Sequence, residues 1–230
     1  MRKIVPFFLP AMRSMMFIAG GLVLSAATGL TLLESASWWG PLCILMNIIT
    51  IAVLLIVCKS EKTRFMSLIA AKGEGLRLRP AVVITLLMSV LGVGCMIFIS
   101  ILFYKGPPEM LSQPLPVWVA VLNLILLPVT IVFAEMPLYF GYSFNRLKTL
   151  TGSPVFSIAY VIFFYALQHS FMPVIWDLKY ILFRFLSFLP LMIVLGIIYS
   201  RKRLLPEMMI GHGVMDLGTG IQILISSLMA

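Results

Sequence analysis

Long apolar runs alternate with short polar segments along the whole chain. Seven runs stand out, at about 14–33, 38–58, 80–104, 116–144, 154–172, 180–199 and 204–228. Crossing the hydrocarbon of a bilayer takes about 20 mostly apolar residues per helix. The runs are continuous rather than alternating with a period of two, and only helices or closed barrels satisfy their backbone groups in lipid. The pattern therefore predicts an all-α fold, a polytopic membrane bundle of about seven transmembrane helices. No linker separates domains, so residues 1–230 read as one membrane domain. In it, 1–115 hold N-terminal helices and a basic loop, and 116–228 hold the core helices. The longest polar segment, 59–79, contains "RFMSLIAAK", a stretch suited to a short amphipathic helix on the membrane surface.

Composition agrees. The chain is 61% hydrophobic and only 11% charged, with a mean hydropathy of +1.10, where a soluble domain is about half apolar and a quarter charged. The formal net charge of +9 raises the question of nucleic acid, and its distribution answers it. Arg2, Lys3 and Arg13 precede the first run, and Lys59, Lys62, Arg64, Lys72, Arg77 and Arg79 lie between the second and third. Arg146 and Lys148 follow the fourth run, and Arg201, Lys202 and Arg203 follow the sixth. These are 14 of the 17 basic residues, all on one side if seven spans alternate. That asymmetry is the positive-inside pattern. It predicts a cytosolic N-terminus, an external C-terminus and contact with anionic headgroups rather than nucleic acid. The expected location is a prokaryotic cell membrane. The first 30 residues have the basic start and apolar run of a signal peptide, but the charge pattern is met most simply by a retained first helix.

The three cysteines, Cys43, Cys58 and Cys95, have no CxxC spacing and imply neither a disulfide framework nor a zinc knuckle. Chemistry is better sought among ionisable residues within the runs, which are expensive in lipid and so are candidates for function. Glu135 lies in the fourth run, His169 near the end of the fifth, and His212 and Asp216 in the seventh. Arg184 is close enough to the end of its run to snorkel, and Glu207 sits where a helix N-terminus favours a carboxylate. His212 and Asp216 are four apart and share a helix face. A single helical histidine is more often a hydrogen-bonded core residue than a catalyst. Two carboxylates and two imidazoles from three helices are a stronger signal, being what a water-activating hydrolase needs. A structural network or a proton relay uses the same inventory, although no repeated half of the transporter kind is visible.

These residues resemble a family, the CPBP intramembrane proteases, which include the type II CAAX prenyl endopeptidases and bacteriocin-immunity relatives. Its pattern is roughly EExxxRG, then FxxxH, then HxxxN or HxxxD, on separate helices. The chain has "AEMPLYFGY" at 134–142, "YALQH" at 165–169 and "HGVMD" at 212–216. The stretch "LGIIYSRKRLLPEMMIGH" is also similar to the family's last connection, and the likeness spans about 130–220. It implies a CPBP-type core over 116–228 and an intramembrane endopeptidase, with CAAX-type processing of a lipidated peptide as one option. The implied roles place Glu135 and His169 on the attacking water. His212 and Asp216 would stabilise the oxyanion or ligate a metal. Glu135, His169, His212 and Asp216 are together the candidate zinc ligands, but no HExxH is present. Zinc and a metal-free mechanism stay equally open.

The first motif departs from the pattern. Met136 stands where the family has a second glutamate and Phe140 where it has an arginine, while Gly141 is kept. Losing both partners of a buried pair is tolerable, whereas losing one is not. The alternative expectation is a catalytically inactive relative acting in immunity, scaffolding or binding. Depth raises a further question. In alternating straight helices Glu135 falls nearer the cytosolic face and His169 nearer the outer face. They approach only if the fourth helix continues past the membrane edge, to about Leu150, or if tilt and breaks shift the depths, with Pro128 and Pro137 as kink sites.

Overall fold

We describe residues 3–69, 75–106 and 114–230 of a computed structural model. Eight α-helices account for most of them, and no strand occurs among the described residues. Helix α1 is Val5–Thr28, α2 Trp39–Ser60, α3 Leu78–Tyr104 and α4 Val117–Met136. A wide π-helical segment, Pro137–Phe144, joins α4 to the short α5, Asn145–Thr151. Then come α6, Pro154–His169, α7, Leu178–Lys202, and α8, Leu205–Leu228. Among the described residues, six helical stretches are long and apolar enough to cross a membrane, with Val117–Thr151 counted as one stretch of 35 residues. The all-α bundle fits an integral membrane protein, and its outward side chains agree: Val90, Leu102 and Trp118 are each more than two-thirds exposed.

Local chemistry sets the helix ends. Ser153 accepts a hydrogen bond from the Phe156 N–H at 3.2 Å, and Pro154 follows it in the first turn of α6. Asp177 accepts from the N–H groups of Lys179 and Tyr180 to start α7. Gly29 and Gly152 close α1 and α5 with φ of 71° and 69°, a conformation glycine adopts without penalty. Pro137 lacks the N–H that would continue α4, and the chain answers by widening its turns rather than breaking. The Asn145 amide donates to the carbonyls of Gly141 at 2.7 Å and Phe140 at 3.2 Å, serving groups the wide turns release.

Three expectations change. The first helix begins at Val5, not near residue 14, so Arg13 lies within it and is fully buried. It is no longer a flanking charge. The fifth run yields only the 16-residue α6, short of a full span, because the chain turns after His169. Arg184 does not snorkel: it is 7% exposed and donates to backbone carbonyls inside the bundle. Of the expected surface helix, Phe65–Leu68 form one 3₁₀ turn; residues 70–72 lie outside the described residues, as do Arg2 and Lys72. A Cβ on Gly141 would meet the Leu68 carbonyl oxygen at 2.5 Å, so only glycine lets this turn lie against the π segment.

Helix α4 is central, packing on α2 and on α8, while α3 leans on α7 and α8, and α6 sits between α1 and α7. Close approach is made where side chains are missing. Gly220 of α8 lies against Leu124 of α4, and Gly211 against the Thr85 backbone of α3.

Candidate active site

The continuation of α4 through the π segment to Thr151 places Glu135 in mid-helix, at 0% exposure. Arg13 of α1 meets it there. The guanidinium donates from Nη2 to Glu135 Oε1 at 2.8 Å, from the same nitrogen to Asn47 Oδ1 at 3.0 Å, from Nη1 to Thr50 Oγ1 at 2.9 Å and from Nε to Gln168 Oε1 at 2.7 Å. Gln168 Oε1 also accepts from the Tyr139 hydroxyl at 2.9 Å. Four helices and the π segment thus contribute to one buried polar cluster, with Arg13 at its centre. A buried charge is tolerable when it is paired and hydrogen-bonded, and here every guanidinium nitrogen donates at least once.

The other face of Glu135 is different. Its Oε2 accepts no hydrogen bond and lies 3.7 Å from His212 Nε2. That nitrogen is 3.1 Å from Asp216 Oδ2, one helical turn further on. The distance is short, but Oδ2 takes no well-aligned hydrogen bond. On the ring's other side, His212 Nδ1 is 3.4 Å from the Tyr165 hydroxyl. Tyr165 stacks on Tyr139 with centroids 4.3 Å apart, which couples this layer to the Arg13 cluster.

His169 is placed apart. It makes no hydrogen bond with Glu135, His212 or Asp216, and its Nε2 is buried without a partner. Its ring stacks on Phe188 at 3.8 Å and 5°. Yet it opens on the same space as the others. A cavity of about 630 Å³ between α3, α7 and α8 is lined by Tyr165, His169, Arg184, His212 and Asp216. Glu135 adjoins this cavity through His212 and is not part of its wall. The structure therefore joins Glu135, His212 and Asp216 directly, and His169 to the last two through the cavity.

The donor set does not fit zinc. Among the described residues no three His, Cys, Asp or Glu side chains gather to hold a metal ion. Glu135 already has a guanidinium on one oxygen, which disfavours a dication on the other, and no step below is routed through a metal.

Phe140 lies among aromatic rings, edge-on to Tyr165 at 5.9 Å and tilted on Tyr199 at 5.3 Å, and Met136 is wholly buried. The cation that pairs with Glu135 is Arg13, from outside this stretch. Composition and motif spacing missed Arg13, Asn47, Thr50, Tyr139 and Gln168. One signal was available. "IVPFFLPAM" before Arg13 is as apolar as "SMMFIAGGL" after it, and a charge with apolar residues on both sides needs an opposite one. No family model, curated protein or solved structure matches the chain.

Proposed function

We propose that the protein is an intramembrane endopeptidase of CPBP type that hydrolyses a peptide bond at the Glu135–His212–Asp216 site. One observation carries the reading: two helices, α4 and α8, direct these ionisable side chains at each other beside a cavity bounded by His169, inside an apolar bundle. Water bound between Glu135 Oε2 and His212 gives its proton to the carboxylate as its oxygen bonds to the substrate carbonyl carbon. The oxyanion that forms takes a hydrogen bond from His169, whose Nε2 is unengaged. The C–N bond then breaks, and Glu135 returns the proton to the leaving amine, giving a carboxylic acid and an amine. Arg13 keeps Glu135 fixed and charge-compensated on its far oxygen. The substrate is a membrane-associated peptide, and prenylated ends are one candidate class.

The test is cleavage of a reporter peptide by the purified chain in liposomes. Glu135→Gln and His169→Ala should each abolish it, and full activity in both variants would remove the mechanism. A second reading has an observation of its own. The Arg13 cluster satisfies Glu135 without any catalytic duty, as expected of an inactive relative with a binding role. Retention of the cellular phenotype in a His169→Ala, His212→Ala double variant would favour that reading.

A further inference from the structure

Arg184 is a buried cation without a counter-ion. It is 7% exposed, and among the described residues no carboxylate lies within ion-pair distance of it. Its Nε donates to the His169 carbonyl at 3.1 Å and its Nη2 to the Met172 carbonyl at 2.8 Å. Its guanidinium carbon lies 4.9 Å from the Phe188 ring centroid. A guanidinium carries five N–H donors, so part of the fork is left over. The two carbonyls follow the end of α6, where a cation is favourable, but carbonyl dipoles do not cancel a full charge.

The cavity described above is where the rest of the fork can act. Arg184 is in its wall, as are the apolar side chains of Met96, Ile97 and Leu191. The unpartnered Nε2 of His169 borders the same space. Along α3 the lining runs from Met88 to Ser100, about 18 Å at the helical rise per residue. One leaflet of the roughly 30 Å hydrocarbon core is of similar length. Val93 and Ile97 line the cavity and are still 55% and 54% exposed, so its mouth is on the lipid-facing side of the bundle. An acyl chain has no backbone amide to leave unsatisfied and can enter by such a mouth.

We propose that this cavity binds a single-chain amphiphile with a carboxylate head, a free fatty acid, its head on Arg184 and its chain along α3. A carboxylate matches the planar fork in charge and geometry, and the volume falls within the roughly 300–1,000 Å³ of ordinary ligand sites. His169, His212 and Asp216 of the proposed peptidase site line the same cavity, but the test reads binding alone, so its outcome is separable from that of the cleavage assay.

The full chain in phospholipid nanodiscs is titrated with palmitate and, separately, with methyl palmitate, which has the same chain and no charge. Palmitate should bind saturably, one per chain and at least about tenfold tighter than the ester. Arg184→Gln should reduce palmitate to the level of the ester, and Arg184→Lys should fall between. Thr219→Trp, which fills the cavity from α8, should weaken both ligands. Equal affinity for acid and ester in the unaltered protein would overturn the proposal even if the Arg184 variants fail to fold. So would unchanged palmitate binding in a folded Arg184→Gln. Tighter binding of a single-chain phosphate, or of an apolar peptide with a free C-terminus, would overturn the fatty-acid assignment in favour of that ligand.

Discussion

Removal of Arg13 is the sharpest perturbation of this bundle. The guanidinium is 2.8 Å from Glu135 and neither side chain is exposed. At that separation the gross attraction is about 6 kcal/mol for an effective dielectric of about 20. Desolvating both ions offsets most of it, so the pair itself contributes little against an apolar pair of the same size. Breaking it by halves is another matter. Arg13→Met would leave Glu135 buried and unpaired, at a cost of about 3–5 kcal/mol. It would also withdraw the donors to Gln168, Asn47 and Thr50. For a chain of this size that is a fall of roughly 6–20 °C in the thermal midpoint. Glu135→Met leaves the mirror problem in milder form, because three neutral oxygens still surround the guanidinium. The double variant should recover most of the loss. Thermal unfolding of all four proteins in one detergent, read as a double-mutant cycle, gives the coupling directly. If Arg13→Met stays within about 1 kcal/mol of the parent, or the double variant is as unstable as the two single changes added together, the pair is not what holds Glu135.

Phe140→Arg should destabilise the protein by about 3–5 kcal/mol, since Glu135 already has its cation and the new one would face Tyr165 and Tyr199; a rise in midpoint would show that Arg13 does not satisfy Glu135. Gly141→Ala should cost about 1–3 kcal/mol and detach the Phe65–Leu68 turn, read as faster proteolysis between α2 and α3. His169→Phe should keep the Phe188 stack and change stability by under about 1.5 kcal/mol, yet lose peptide cleavage; retained cleavage would deny His169 its oxyanion role.

The helices were legible because the solvent they face is apolar. Runs at 38–58, 80–104, 180–199 and 204–228 end within a few residues of α2, α3, α7 and α8. A lipid-facing helix needs apolar side chains all round, and hydropathy records that directly. The α6 boundary was less legible because "SFMPV" after His169 is as apolar as the helix before it. Hydropathy cannot tell a buried turn from a helix. Arg13 was hidden for a related reason. A window that begins after a charge treats the charge as flanking, and only the partner in space, 122 residues away, shows otherwise. His212 and Asp216 were readable as a pair because four residues is one helical turn. The meeting of Glu135 with His212 rather than His169 was not, because it depends on how α4 and α8 pack through Gly220.

Taken together, the site is organised by charge count more than by motif. Glu135 and Arg13 form one balanced pair, and His212 with Asp216 forms a second group whose charge depends on its protons. Arg184 is the remaining cation of the cavity wall, and it has carbonyls instead of an anion. Buried charges in an apolar medium are either matched or awaiting a match. The N-terminal helices supply the match for Glu135 through Arg13, Asn47 and Thr50, so the region outside the motif-bearing half is part of the site. Asp216 is in the same cavity wall, but among the described residues no carboxylate comes within ion-pair distance of Arg184. That asymmetry separates the two guanidiniums: one is a structural counter-ion already in use, and the other faces open space wide enough for a ligand's anion.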